Sequence, residues 1–191
     1  MAQTPSTMLP LGTRAPEFSL PEPSSGKTIS LSEFTGKHLL VIFSCNHCPY
    51  VIHILESLTA FANELALNRM PVVMISANDI DGYPADGPAK MIELSRQYGF
   101  AFPYLYDESQ QVAQSYAAAC TPDFFLFDAD HELVYRGQYD ASRPGNDLPV
   151  DGKDLKRAVD AMLSGELVPD VQIPSVGCNI KWKSGNAPDY F

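Results

Sequence analysis

The sequence predicts an α/β domain with a mixed central sheet and helices on both faces, and three observations carry that reading. Two apolar runs, Leu39-Leu40-Val41-Ile42-Phe43 and Pro71-Val72-Val73-Met74-Ile75-Ser76, flank a stretch of helical spacing. A strand, a crossover helix and a second buried strand imply parallel pairing. A third run, Phe124 to Phe127, leads through Asp128-Ala129-Asp130-His131 into Leu133-Val134-Tyr135 and Gly137 to Tyr139, which reads as an antiparallel hairpin. Lys153 to Leu163 then places Leu155, Ala158, Val159, Met162 and Leu163 on one helix face.

In chain order, residues 1 to 36 are rich in Pro, Ser, Thr and Gly, with short strands expected around Phe18–Leu20 and Thr28–Leu31. After the first core strand, Cys48, Val51, Ile52, Leu55, Leu58, Ala62 and Leu65 recur at helical spacing, predicting a helix of about five turns. Pro49 suits its first turn, where the missing N–H costs nothing. Residues 78–88 read as a solvated loop. Their Asn78-Asp79-Ile80-Asp81-Gly82 segment is calcium-loop-like, but the loop's end positions would fall on Ala77 and Pro88. A helix through Met91, Leu94 and Tyr98, a strand at Tyr104–Tyr106 and a helix over Val112, Ala113 and Tyr116 follow. Residues 165–191 are expected as an irregular tail. The whole chain, 1–191, reads as one domain: an extension (1–36), a core of about 37–164, and the tail.

Thirteen Lys and Arg against 23 Asp and Glu give a formal net charge of −10. That balance argues against nucleic acid and anionic membranes as partners, because phosphate binding needs clustered cations. The first 20 residues show neither a basic start nor a continuous apolar run, and the longest strongly apolar stretch is five residues, far short of a membrane span. The expected address is cytoplasmic, where cysteines more often do chemistry than form structural disulfides.

The chemistry concentrates in Cys45-Asn46-His47-Cys48-Pro49, which joins the first core strand to the first long helix. A helix N-terminus favours negative charge, and thiolate is the reactive form of cysteine. A structural zinc site would need four ligands, usually a second paired set, and Cys120 and Cys178 are single. No metal and no cofactor are expected.

This element order, with Cys-x-x-Cys at the strand–helix junction and Thr121-Pro122 just before the third core strand, resembles the thioredoxin superfamily. Gly12-x-x-Ala15-Pro16-x-Phe18-x-Leu20, Gly26, Leu31-Ser32-Glu33-Phe34 and the tail's Ser175-Val176-Gly177-Cys178-Asn179-Ile180-Lys181-Trp182 are similar to its peroxiredoxin-like (AhpC/TSA-type) branch. The resemblance implies a thioredoxin fold with an N-terminal peroxiredoxin-like β extension. It further implies an exposed nucleophilic Cys45, a resolving Cys48, a His47 that favours the Cys45 thiolate, and a cis peptide bond at Thr121-Pro122. The backbone beside that bond would be an edge for a substrate strand.

Two departures qualify it. The superfamily's buried acid, six residues before the first cysteine, is Leu39 here. In peroxiredoxins a proline follows the peroxidatic cysteine, as Pro49 follows Cys48; their threonine falls at Cys45, their upstream proline at Val41 and their arginine at about Pro122. Losing those peroxide-polarising groups weakens peroxidase chemistry. The expected function is thiol–disulfide exchange with protein or low-molecular-weight disulfides, supported by an upstream thiol reductant. A thiol peroxidase using Cys48 and a non-catalytic peptide-binding module are the alternatives. Cys120 and Cys178 are candidate accessory thiols, expected to meet if the tail folds back over the sheet edge; for Cys120 a small buried hydrophobe is the stronger reading.

Overall fold

A computed structural model describes residues 3–190; the extreme ends of the predicted domain, residues 1–2 and 191, lie outside the described residues. The strands are β1 (Gln3–Pro5), β2 (Ser19–Glu22), β3 (Lys27–Ser30), β4 (Leu39–Phe43), β5 (Val72–Ser76), β6 (Tyr104–Tyr106), β7 (Cys120–Thr121), β8 (Asp123–Phe127), β9 (Leu133–Tyr135) and β10 (Val176–Asn179). The helices are α1 (Pro49–Asn68), α2 (Pro88–Tyr98), α3 (Gln111–Ser115) and α4 (Lys153–Leu163).

The central sheet has the order β6-β5-β4-β8-β9, with β4, β5 and β6 parallel and β8 and β9 antiparallel. Every residue of β4, β5 and β8 is buried, as unbroken apolar runs require of strands covered on both faces. Alternation then divides the core. Leu40, Ile42, Met74, Phe124 and Leu126 face α1, α2 and α4. Leu39, Val41, Phe43, Phe125 and Phe127 face α3, the β2–β3 hairpin and Ile180. Helix α1 begins with Cys48 at its N-cap and Pro49 in its first turn. No helix among the described residues is long and apolar enough to cross a membrane.

Several expectations need correction. Strand β9 ends at Tyr135, and Gly137–Tyr139 leaves the sheet while the Tyr135 hydroxyl donates to the Gln138 carbonyl at 2.6 Å. Ile52, expected among the core positions of α1, is 53% exposed. The loop after β5 is not wholly solvated: Asn78 and Asp86 are buried, and Pro84–Asp86 forms a short 3-10 turn.

The largest correction concerns the tail. It is not irregular throughout, because β10 pairs antiparallel with both β1 and β7 and makes a second, three-stranded sheet. Alternating hydrophobicity could not reveal a strand of Val-Gly-Cys-Asn. Its glycine is sterically required: a Cβ on Gly177 would sit 2.0 Å from the Thr121 carbonyl oxygen, a backbone atom that cannot swing aside.

Beside that seam, Asp123 is fully buried, and burial raises its carboxyl to about 7 from an ordinary 3.8. The folded state holds this proton through the interval in which the unfolded chain releases it. The stability so conferred is full below pH 4 and is lost as pH rises toward 7, at roughly 1.4 kcal/mol per pH unit.

Two measurements check this description. Gly177→Ala should lower stability by roughly 1–3 kcal/mol, as overpacking does, and speed alkylation of the thiols beneath β10; an unchanged urea midpoint and alkylation rate would refute the close approach. Asp123→Asn should flatten the fall in urea midpoint between pH 4 and 7, whereas an equally steep fall in the variant would assign it to other groups.

Candidate redox site

The two motif cysteines lie where β4 gives way to α1. Both are buried, Cys45 at 1% and Cys48 at 0% exposure, so the expectation of an exposed Cys45 is corrected. The cover comes from β10 and from the loop carrying Tyr83 and Asp86. The Thr121–Pro122 peptide bond is cis and lies directly against both sulfurs. Cys45 Sγ is 3.3 Å from Thr121 Oγ1, and Cys48 Sγ is 3.2 Å from the Thr121 carbonyl oxygen.

The backbone edge beside Pro122, expected to be free for a substrate strand, is already taken. The register puts Cys178 of β10 opposite Thr121 and Asn179 opposite Cys120. Side chains alternate along a strand, so Cys178 and Cys120 leave opposite faces of this ribbon and do not form the expected accessory pair. Cys178 instead joins Cys45 and Cys48 in one buried cluster with Val51 and Leu55. Cys120 points away, its Sγ 3.6 Å from the Pro122 carbonyl oxygen, and burial followed by the nearby Asp123 carboxylate keeps it protonated.

Each sulfur of the pair acts on the other, so ionising one holds the proton on its neighbour. Hydrogen bonding with Cys48, burial and the Asp86 carboxylate all push Cys45 well up, against the pull of the Thr121 hydroxyl. Cys48 is lowered to about 5. Its largest support is the Cys45 thiol; the Cys178 thiol and the backbone N–H groups of Val51 and Cys178 add to it, against the cost of burial. The Cys48 thiol also donates to the Thr121 carbonyl oxygen at 3.2 Å, a contact that favours its neutral form. Burial and the charge on Cys48 in turn push Cys178 up to about 12.

His47 does not act on Cys45 as an isolated cation. Its Nδ1 lies 2.7 Å from Asp86 Oδ2, and its ring stacks on Tyr83 with centroids 5.3 Å apart. Asp86 also accepts from the Asn46 backbone N–H at 2.8 Å and from Asn78 Nδ2 at 2.7 Å. The motif loop is thus tied to a buried carboxylate that sequence reasoning missed, because Asp86 sits in a Pro/Gly/Asp loop read as solvent-facing. The only signal was the proline on either side, Pro84 and Pro88, which shape a rigid turn.

Cys45, His47 and Asp86 each offer a ligand atom within 4.8 Å of the others. Two ligands of one tetrahedral zinc stand roughly 3.3 Å apart for bonds of about 2.0 Å. The 2.7 Å contact between His47 and Asp86 is instead a hydrogen bond, and Asp86 is committed to two further donors. These groups fit a proton relay better than a metal cage.

A thioredoxin-type sheet whose cis-proline faces a buried pair of thiols defines a redox protein of the thioredoxin superfamily. The AhpC/TSA family model matches residues 11–136, and the chain belongs to that family. Among solved structures, it is similar to an uncharacterized conserved protein from Geobacillus kaustophilus, at 45% identity and TM-score 0.93 over 96% of this chain and 97% of that one. A hypothetical protein from Sinorhizobium meliloti 1021 matches at 48% identity and TM-score 0.92, covering 95% and 100%. A thiol:disulfide interchange protein of the thioredoxin family from Chlorobium tepidum TLS shares the fold at TM-score 0.61 and 19% identity, covering 80% and 97%. A comparison with curated proteins gave no match.

The charge assignment is checked by thiolate absorbance near 240 nm. It should titrate with a midpoint near pH 5 in the wild type, disappear in Cys48→Ser and persist in Cys45→Ser. Loss of the low-pH step in Cys45→Ser, with retention in Cys48→Ser, would place the thiolate on Cys45.

Proposed function

We propose that this chain is a thiol–disulfide oxidoreductase whose Cys45–Cys48 pair cycles between dithiol and disulfide. The observation that carries the reading is two buried thiols at the N-terminus of α1, both lying against the cis Thr121–Pro122 peptide. The Cys48 thiolate attacks one sulfur of a substrate disulfide, forms a mixed disulfide and expels the other sulfur as a thiolate. Cys45 then loses its proton and attacks the Cys48 sulfur, which closes Cys45–Cys48 and releases the second substrate thiolate. The substrate gains two electrons and the protein loses them.

Deprotonating Cys45 falls to the His47–Asp86 pair, because a His47 ring nitrogen lies within 4.8 Å of Cys45 Sγ. That pair occupies the role left open by Leu39. Protein and low-molecular-weight disulfides are the substrate classes, and an upstream thiol reductant restores the dithiol. A thiolate held near pH 5 stabilises the reduced form, so the couple should be more oxidising than roughly −270 mV, thioredoxin's value.

A second reading has its own support. Cys48, whose thiol is lowered to about 5, is the cysteine followed by Pro49, as the peroxidatic cysteine is in peroxiredoxins. There the Cys48 thiolate would attack a peroxide oxygen, giving a sulfenic acid and water, and Cys45 would condense with it and release a second water.

One comparison separates the readings: insulin-disulfide reduction and hydrogen peroxide consumption by wild type, Cys45→Ser and Cys48→Ser. Insulin reduction should fall to background in both variants, with peroxide consumed only slowly. Rapid peroxide consumption that depends on Cys48 alone, with insulin untouched in the wild type, would reverse the ranking.

A further inference from the structure

We propose that Cys178 is a third redox thiol of this site, carried on β10 as a built-in substrate strand, and that it exchanges with Cys48. The inference rests on the exchange reading above. Three geometric facts support it. Strand β10 pairs with the backbone of Thr121, the position that an incoming extended peptide would use by edge augmentation. Its residue opposite Thr121 is a cysteine, as a bound substrate's reacting residue would be. That side chain packs in the same buried cluster as Cys45 and Cys48, with α1 against β10.

The close approach is built into the strand. Gly177 lets β10 come within a distance of Thr121 that no larger residue permits. Flanking bonds hold the strand in register: Ser6 N–H donates to the Ser175 carbonyl at 2.8 Å, Ser175 Oγ to the Pro122 carbonyl at 2.6 Å, and Lys181 N–H to Asn78 Oδ1 at 2.8 Å. Asn78 in turn holds Asp86, so the tail and the motif loop share one network.

The exchange balances without another redox partner. In the oxidised protein, the Cys178 thiolate attacks Cys48 Sγ, the Cys45–Cys48 bond breaks and a Cys48–Cys178 bond forms. The proton shed by Cys178 ends on the departing Cys45, and no net oxidation occurs. When Cys48 is instead joined to an external thiol, the same attack expels that thiol. Neutralising Cys48 also removes one cause of the raised Cys178 value, so Cys178 becomes more acidic at the stage when it is needed.

The test uses oxidised glutathione with the full chain, wild type and Cys45→Ser, followed by thiol counting and disulfide mapping by mass spectrometry. In the wild type, loss of two thiols with a Cys45–Cys48 linkage is the result the exchange reading requires. In Cys45→Ser, the proposal expects one oxidised glutathione consumed, both glutathione halves released and Cys48 linked to Cys178. Adding Cys178→Ser to Cys45→Ser should leave a stable Cys48–glutathione mixed disulfide. If wild type oxidises but Cys45→Ser stops at the mixed disulfide, does not react, or joins Cys48 to Cys120, the Cys178 proposal is overturned and the exchange reading stands. An unreactive wild type overturns both. Cys45→Ala repeats the measurement without a residual hydroxyl, and matching circular dichroism excludes a folding defect.

Discussion

The backbone pairing of Cys178 with Thr121 is the contact on which this site depends. It closes the edge that the cis-proline loop would otherwise present to solvent, and it packs Cys178 into one cluster with both motif cysteines. It also delivers two hydrogen-bond donors, the Cys178 thiol and its N–H, to Cys48. A single glycine permits that pairing. The fold therefore does more than position a dithiol: it surrounds the dithiol with its own chain.

Charge distribution follows from which element covers which sulfur. Cys45 lies toward the loop that carries Asp86, and a carboxylate in a low-dielectric site discourages a second negative charge nearby. Cys48 lies toward donors: the start of α1, the Cys45 thiol and β10. Histidine between the cysteines is bonded to a buried carboxylate rather than left free beside Cys45. The acid that neutralises it belongs to a segment 39 residues away in sequence. Local motif reading therefore pointed to the cysteines and His47 but not to the carboxylate that holds the histidine.

What the sequence revealed and what it hid have the same physical origin. Leu39–Phe43, Val72–Ser76 and Phe124–Phe127 were legible because strands buried on both faces must be continuously apolar, and α1 and α4 because one buried face repeats every third or fourth residue. Strand β10 was illegible because its stability comes from backbone pairing and a glycine contact, neither of which produces periodicity. Asp86 was illegible because its carboxylate is satisfied by Asn46, His47 and Asn78, partners that only the folded chain brings together. The tail's return over the sheet was correctly anticipated, yet the partner of Cys178 was not. Spacing cannot say which face of a two-residue strand a side chain takes, and that face decides between Cys120 and Cys48.

Burial of both sulfurs constrains how any disulfide substrate reacts here. Exchange requires the attacking sulfur to approach along the axis of the S–S bond, which a fully covered thiolate cannot offer to a protein. A peptide that gains access by replacing β10 at the Thr121 edge also withdraws the Cys178 donors from Cys48. The thiolate that it meets is then less stabilised, with a higher pKa and greater intrinsic nucleophilicity. On the exchange reading, the strand that shields the site would favour ligands able to take its place at the Thr121 edge.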